Sequence, residues 1–233
     1  MREEGALVHI DYWFDLTSPW CYLGLRHLRS ALSGFAHADE VEVALHAFLL
    51  DPELVPSKAL PRRVHLIENV GLTLEEARDL DARLVELGRA EGLALDLDRA
   101  LVVPTSNAHR AIAAAADRDL ELGATTGADT YALKLAEAIH RSHFEMGLDV
   151  SDPDVLVGCA QDVGIEAERI VAALASVEHG SRVFSDFQIG AQMGIDLVPT
   201  YLIDQRFLVQ DHQTVTAMGN ILNAAWTNSG KEQ

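Results

Sequence analysis

An apolar run from Leu7 to Phe14 is the first element the pattern predicts, and its length suits one buried strand. An amphipathic stretch, Leu25 to Leu32, reads as a helix. From Val41 to Leu49 the pattern alternates, with Val41, Val43 and Leu45 on one side and Glu42 and His46 on the other, which predicts a second strand. Asp51-Pro52 ends it, and a loop with Pro56 and Pro61 follows.

From about Pro61 to about Met193 the period is helical throughout. Val64, Ile67 and Glu68 open one helix that closes near Gly71. Thr73-Leu74-Glu75-Glu76 has the form of a capping box and starts another, running to about Gly92. Leu93, Leu95, Leu97 and Leu101 cross a connector, and Thr105-Ser106-Asn107 offers N-caps for an Ala-rich helix that stops near Gly123. Further helices are predicted over 129–144, from Ser151-Asp152-Pro153-Asp154 to Gly164, over 166–174 and over 180–193. The period then changes again. Tyr201 and Ile203 mark a strand, Asp204-Gln205-Arg206 a turn, Phe207-Leu208-Val209 a returning strand, and Val215 to Trp226 a last helix before a disordered-looking 227–233. The order is β-α-β, a helical block, then β-β-α. It divides the chain into residues 1–60 plus 194–233 and an insertion, 61–193.

Asp15-Leu16-Thr17-Ser18-Pro19-Trp20-Cys21-Tyr22-Leu23-Gly24 stands where the first strand hands over to the first helix. Ser18 is a favoured N-cap and Pro19 fits the first helical position, where a missing N–H costs nothing. Cys21 falls in the first turn, at the positive end of the helix dipole, where an exposed thiol's pKa tends to fall. Far along the chain, Val198-Pro199-Thr200 precedes the third strand. A proline there can simply start an edge strand.

Ser18-Pro19-Trp20-Cys21-Tyr22-Leu23-Gly24 resembles the active-site turn of DsbA-like thiol–disulfide oxidoreductases, most closely their FrnE-like branch, which carries Cys-Pro-Trp-Cys-Tyr, an apolar residue and Gly. Here the first cysteine is replaced by Ser18. Ala191-Gln192-Met193-Gly194-Ile195 and the partly matching Asn107-Ala108-His109-Arg110 add to the likeness. The resemblance implies an α/β thioredoxin fold carrying a large all-helical insertion, with Pro199 cis and packed against the turn. It implies that Ser18, Cys21 and Pro199 occupy the catalytic positions, with Pro19, Trp20 and Val198 at the substrate. His109 would face a cleft between the two parts; a capping or surface histidine is the equal alternative. Protein or small-molecule thiols and disulfides are the implied substrates, and no cofactor is required.

Ser18 divides the functional readings, because a hydroxyl cannot act as a redox centre and no Cys-x-x-Cys disulfide can form. The first reading is an oxidoreductase altered, by engineering or by nature, at its nucleophile. The second is a transferase or isomerase. Kappa-class glutathione transferases and 2-hydroxychromene-2-carboxylate isomerases carry Ser-Pro-Tyr-Ser at the same turn, where the serine hydroxyl bonds the thiolate of glutathione. In that case glutathione or another low-molecular-weight thiol is the ligand, with Arg110 or Arg206 offsetting its charge. The third is a silent module that binds peptides at Pro199.

Composition narrows the partners. The chain has 36 acidic against 18 basic side chains, net −18, and a surface so acidic repels nucleic acid and anionic membranes. No stretch nears the ~20 apolar residues that cross a bilayer, and Met1-Arg2-Glu3-Glu4-Gly5 lacks a signal-peptide apolar region, so a cytoplasmic protein is expected. Cys21 and Cys159 lie far apart and are not expected to pair, Cys159 sitting on an apolar helix face. His140 and His143, at i and i+3 without supporting carboxylates, make a weak metal pair, and no metal is expected. The oligomeric state is left open, a homodimer included.

Overall fold

A computed structural model describes residues 8–55 and 58–229. Leu7 and Pro56, named above, lie outside the described residues, as do 230–233. β1 (Val8–Phe14) leads through the Ser18 turn into α1 (Pro19–Ser33), and β2 (Val41–Ala47) returns parallel to β1, with Val8 opposite Val41 and Phe14 opposite Ala47. At the other end of the chain β5 (Thr200–Ile203) runs antiparallel to β1, β6 (Phe207–Gln210) antiparallel to β5, and α9 (Val215–Asn228) follows. The sheet order is β2-β1-β5-β6. β1 is internal to the sheet; Val8, Ile10, Tyr12 and Phe14 on one face are almost wholly buried, and on the other face Trp13 is buried too while His9 is exposed.

Between β2 and β5 come α2 (Arg62–Glu68), α3 (Leu74–Ala90), α4 (Ser106–Leu122), α5 (Tyr131–Phe144), α6 (Pro153–Asp162), α7 (Ala167–Ala175) and α8 (Val177–Gln192). Several starts are visible in the sequence chemistry. Thr73 and Glu76 form a reciprocal capping box on α3, and Asp152 caps α6 ahead of Pro153. Gly123 ends α4 in the left-handed region, φ 62°, where only glycine is at ease. The mixed α/β architecture, a thioredoxin fold with a helical insertion, is the expected fold class.

The departures are local. β2 stops at Ala47 rather than Leu49, because the Leu50 N–H is taken at 2.7 Å by the Asp15 carboxylate instead of a strand partner. α8 starts at Val177 rather than Gly180, since Ser176 Oγ accepts from His179 N–H at 3.2 Å and fixes an earlier cap. α9 continues past Trp226 to Asn228. A two-residue ladder, β3 (Leu60–Pro61) with β4 (Leu101–Val102), occupies what reads as loop and connector, and a pair so short has no period to detect.

The main apolar core runs from the sheet into the helical block without a break. Ile10, Phe14 and Tyr201 share one cluster with Leu25 and Leu28 of α1, Ile112 of α4, Leu133 and Ile139 of α5 and Leu222 of α9. The buried alanines 108, 111, 114 and 115 belong to the same cluster and let the backbone of α4 approach its neighbours. A second cluster seats the connector leucines 93, 95 and 97 with Leu84 of α3 against Tyr22 and Leu23 on the far side of α1. Among the described residues no helix is long and apolar enough to cross a membrane.

Candidate active site at the first strand-to-helix turn

Ser18 is the N-cap of α1, with extended backbone (φ −93°, ψ 112°), and Pro19 occupies the first turn. Ser18 Oγ accepts the Cys21 N–H at 3.3 Å. Cys21 sits beneath this cap, fully buried, and its Sγ accepts the Asp15 N–H at 3.5 Å. Tyr12 Oη donates to the Cys21 carbonyl at 2.9 Å and fixes the turn from the strand side. Burial pushes the Cys21 thiol up to about 12, although the Ser18 hydroxyl and the Asp15 N–H both favour thiolate. At this depth desolvation outweighs the helix terminus, so Cys21 is a protonated thiol behind the turn and not a displayed nucleophile.

A cleft of 270 Å³ opens beside the cap. Asp15, Thr17, Ser18, Pro19 and Trp20 line one side, Leu50 and Asp51 the loop after β2, and Asp196, Leu197 and Val198 the approach to β5. Arg62, His65 and Leu66 of α2, Val102 and Thr105 form the wall contributed by the helical block. The cleft thus brings together Ser18, Pro19, Trp20 and Val198. Pro199 is buried behind it, and the Val198–Pro199 peptide bond is cis. A Cβ placed on Gly24 would come within 2.9 Å of Pro199 Cγ and 2.5 Å of Tyr201 Oη. Glycine at 24 is what lets the proline and the tyrosine close onto α1.

His109 does not line the cleft. It is buried behind β1, edge-on to the Phe14 ring at 5.1 Å, and burial lowers its pKa to about 3, so it is a neutral core side chain. The cleft is met instead by Thr105, the residue that precedes α4. Arg110 is also placed elsewhere, donating from Nη1 to the Leu174 carbonyl at the end of α7 at 2.7 Å, and Arg206 stands exposed at the β5–β6 turn. His140 and His143 are fully buried; His140 stacks on Tyr22 at 5.2 Å, and His143 Nδ1 lies 3.1 Å from the Leu148 carbonyl.

Trp20 is half-buried and its ring lies 4.7 Å from that of His212, tilted by 30°, so the loop after β6 packs on the indole. Three cleft residues had no role in the sequence reading. Asp15 is buried, and its carboxylate accepts from Leu50 N–H at 2.7 Å, Thr17 N–H at 3.0 Å, Thr17 Oγ at 3.2 Å and Thr105 Oγ at 3.4 Å. Desolvation still raises its pKa. An acid closing an apolar strand was its only signal. Arg62 and His65 had a fainter one, a cation-rich patch after Pro61 in an acidic chain.

Comparison with known proteins agrees with this geometry. The profile of the DSBA-like thioredoxin domain matches residues 9–222. No curated protein sequence matches significantly. Among solved structures, a probable DsbA oxidoreductase, SCO1869 from Streptomyces coelicolor, superposes with a TM-score of 0.82 at 28% identity, covering 97% of this chain and 92% of its own. A putative protein disulfide isomerase from Nitrosomonas europaea gives 0.72 at 17% identity, with 95% and 98% covered. A 2-hydroxychromene-2-carboxylate isomerase gives 0.62 at 15% identity, with 97% and 99% covered; at such identity the likeness is one of fold. With a profile match across nearly its whole length and the cap, thiol and proline arranged as described, the chain belongs to the DSBA-like thioredoxin domain family.

Proposed function

We propose that the chain is a thiol–disulfide oxidoreductase scaffold of the FrnE-like type, acting on protein or small-molecule thiols, with a hydroxyl where the attacking sulfur belongs. One observation carries this reading: Ser18 caps α1 at the edge of the cleft while Cys21, three residues on, is buried beneath it. That is the disposition a dithiol site needs, an outer atom that meets substrate and an inner thiol that resolves the mixed disulfide. The Val198 backbone supports the same reading, since its N–H and C=O make no hydrogen bond to the described residues and can pair with an extended thiol ligand. A reducing compartment such as the cytoplasm suits a chain whose two cysteines are both free.

Insulin reduction by the chain and by its Ser18→Cys variant tests the proposal. The chain is expected to be inactive and the variant to gain turnover. Equal rates would mean that Cys21 works alone and that the inner-thiol assignment is wrong. A second reading, a thiol-binding transferase or isomerase, draws on the Ser18 hydroxyl lining the cleft at a helix N-terminus, where a ligand thiolate would be stabilised. Calorimetric titration with glutathione, repeated on Ser18→Ala, separates the two. Equal affinities would reduce Ser18 to a helix cap and remove this reading.

A further inference from the structure

We propose that the cleft beside Ser18 takes a small organic acid with one carboxylate and an apolar body, the carboxylate held by the Arg62 guanidinium. This rests on the reading of the cleft as the substrate site and adds the chemistry of what fills it. Arg62 is 9% exposed and lines the cleft. Its Nε donates to Asp81 Oδ1 at 3.2 Å, while its two terminal nitrogens have no acceptor among the described residues. The other oxygen of Asp81 accepts from Arg63 Nη2 at 3.2 Å. One carboxylate is therefore shared by two guanidinium groups, and the buried one keeps an open fork towards the cleft. The side chain is largely buried while the fork stays accessible, and a planar carboxylate matches that fork in bidentate fashion.

The rest of the cleft sets the body of the ligand. Leu66, Val70, Leu80, Val102 and Val103 form the adjoining wall, an apolar surface with no use for a second charge. Asp51 and Asp196 line the mouth and are exposed, so they repel a dianion. Asp15 on the opposite side is committed to Thr17, Leu50 and Thr105. At 270 Å³ the cleft is at the small end of ligand pockets, which fits a molecule the size of an aryl-alkanoic acid.

Calorimetry on the whole protein provides the test, with 3-phenylpropionate, its neutral amide and phenylsuccinate as probes. The monoacid is expected to bind, and the amide to bind at least about tenfold more weakly, since a charge-assisted pair is lost. Phenylsuccinate should also bind more weakly than the monoacid. Arg62→Met should weaken the acid and leave the amide unchanged, with Asp81 still paired to Arg63. The acid–amide comparison needs no variant, so it stands even if Arg62→Met folds poorly. Equal binding of acid and amide, or no binding of either, overturns the proposal. Because no thiol chemistry is read, a Ser18→Cys variant that reduces insulin beside a cleft that ignores carboxylates would sink this inference alone. Carboxylate binding beside a variant that stays redox-silent would sink only the oxidoreductase reading.

Discussion

Cys21 shows how far one residue's chemistry depends on depth. Its place in the first turn of α1 favours thiolate, yet burial lifts it from 9.0 to about 12. That leaves roughly a thousandfold less thiolate near neutral pH than an unperturbed thiol would show. Labelling of Cys21 by a maleimide at pH 8, followed by peptide mapping, should be slower by that order in the folded protein than in urea. Comparable rates in the two states would mean that the turn opens readily. The identity of the site residues was legible in sequence because Ser-Pro-Trp-Cys is local. Depth is not local: the burial of Cys21 was implied only by the family resemblance, and that of His109 could not be read. Arg62 was missed for the same reason: its open donors exist only where α2 meets the turn.

Among elements, two contacts that tie distant segments together make sharp predictions. Gly24 lies inside α1, where alanine would ordinarily gain up to about 1 kcal/mol. The added methyl would meet Pro199 and the buried Tyr201, both rigid rings, and such overpacking costs about 1–3 kcal/mol. Gly24→Ala should therefore lower the urea midpoint despite its better helix propensity; a raised midpoint would show that the proline and the tyrosine yield easily. His46 of β2 links β1 and α8, with Nε2 2.9 Å from Asp11 Oδ1 and Nδ1 3.1 Å from Asp186 Oδ1, its ring stacked on Trp13. Burial disfavours its charge, but the two carboxylates win and raise its pKa to about 9. The folded value exceeds the unfolded one, so the stabilisation is complete below about 6.5 and is lost as pH rises through about 9. It should amount to about 3 kcal/mol. Urea unfolding at pH 6, 8 and 10 should show the wild type losing stability over this range and His46→Gln losing less. Parallel curves would sink the claim. The strands and longer helices were readable because their periods are strong. The β3–β4 ladder and the early start of α8 were not, since each is decided by a partner or a cap and not by a repeat.

Across the whole molecule, the block order could be read from the switch of period from strand to helix and back. How the blocks meet could not, because that depends on which faces pack. One core joins the sheet to α4, α5 and α9, so the helical insertion should not unfold by itself. Tryptophan fluorescence, with Trp13, Trp20 and Trp226 all outside the insertion, and far-UV circular dichroism, to which the insertion's helices contribute heavily, should report one coincident transition. An earlier helical transition would show the insertion to be a separate unit. The Ser18 cap has a consequence for heredity as well as for folding. Most serine codons lie a single base from cysteine, and the cap position, the buried Cys21 and the cis-proline stand around residue 18. On the oxidoreductase reading the scaffold sits one mutational step from redox activity, and a randomised gene library selected for disulfide reduction should return that codon change before any other.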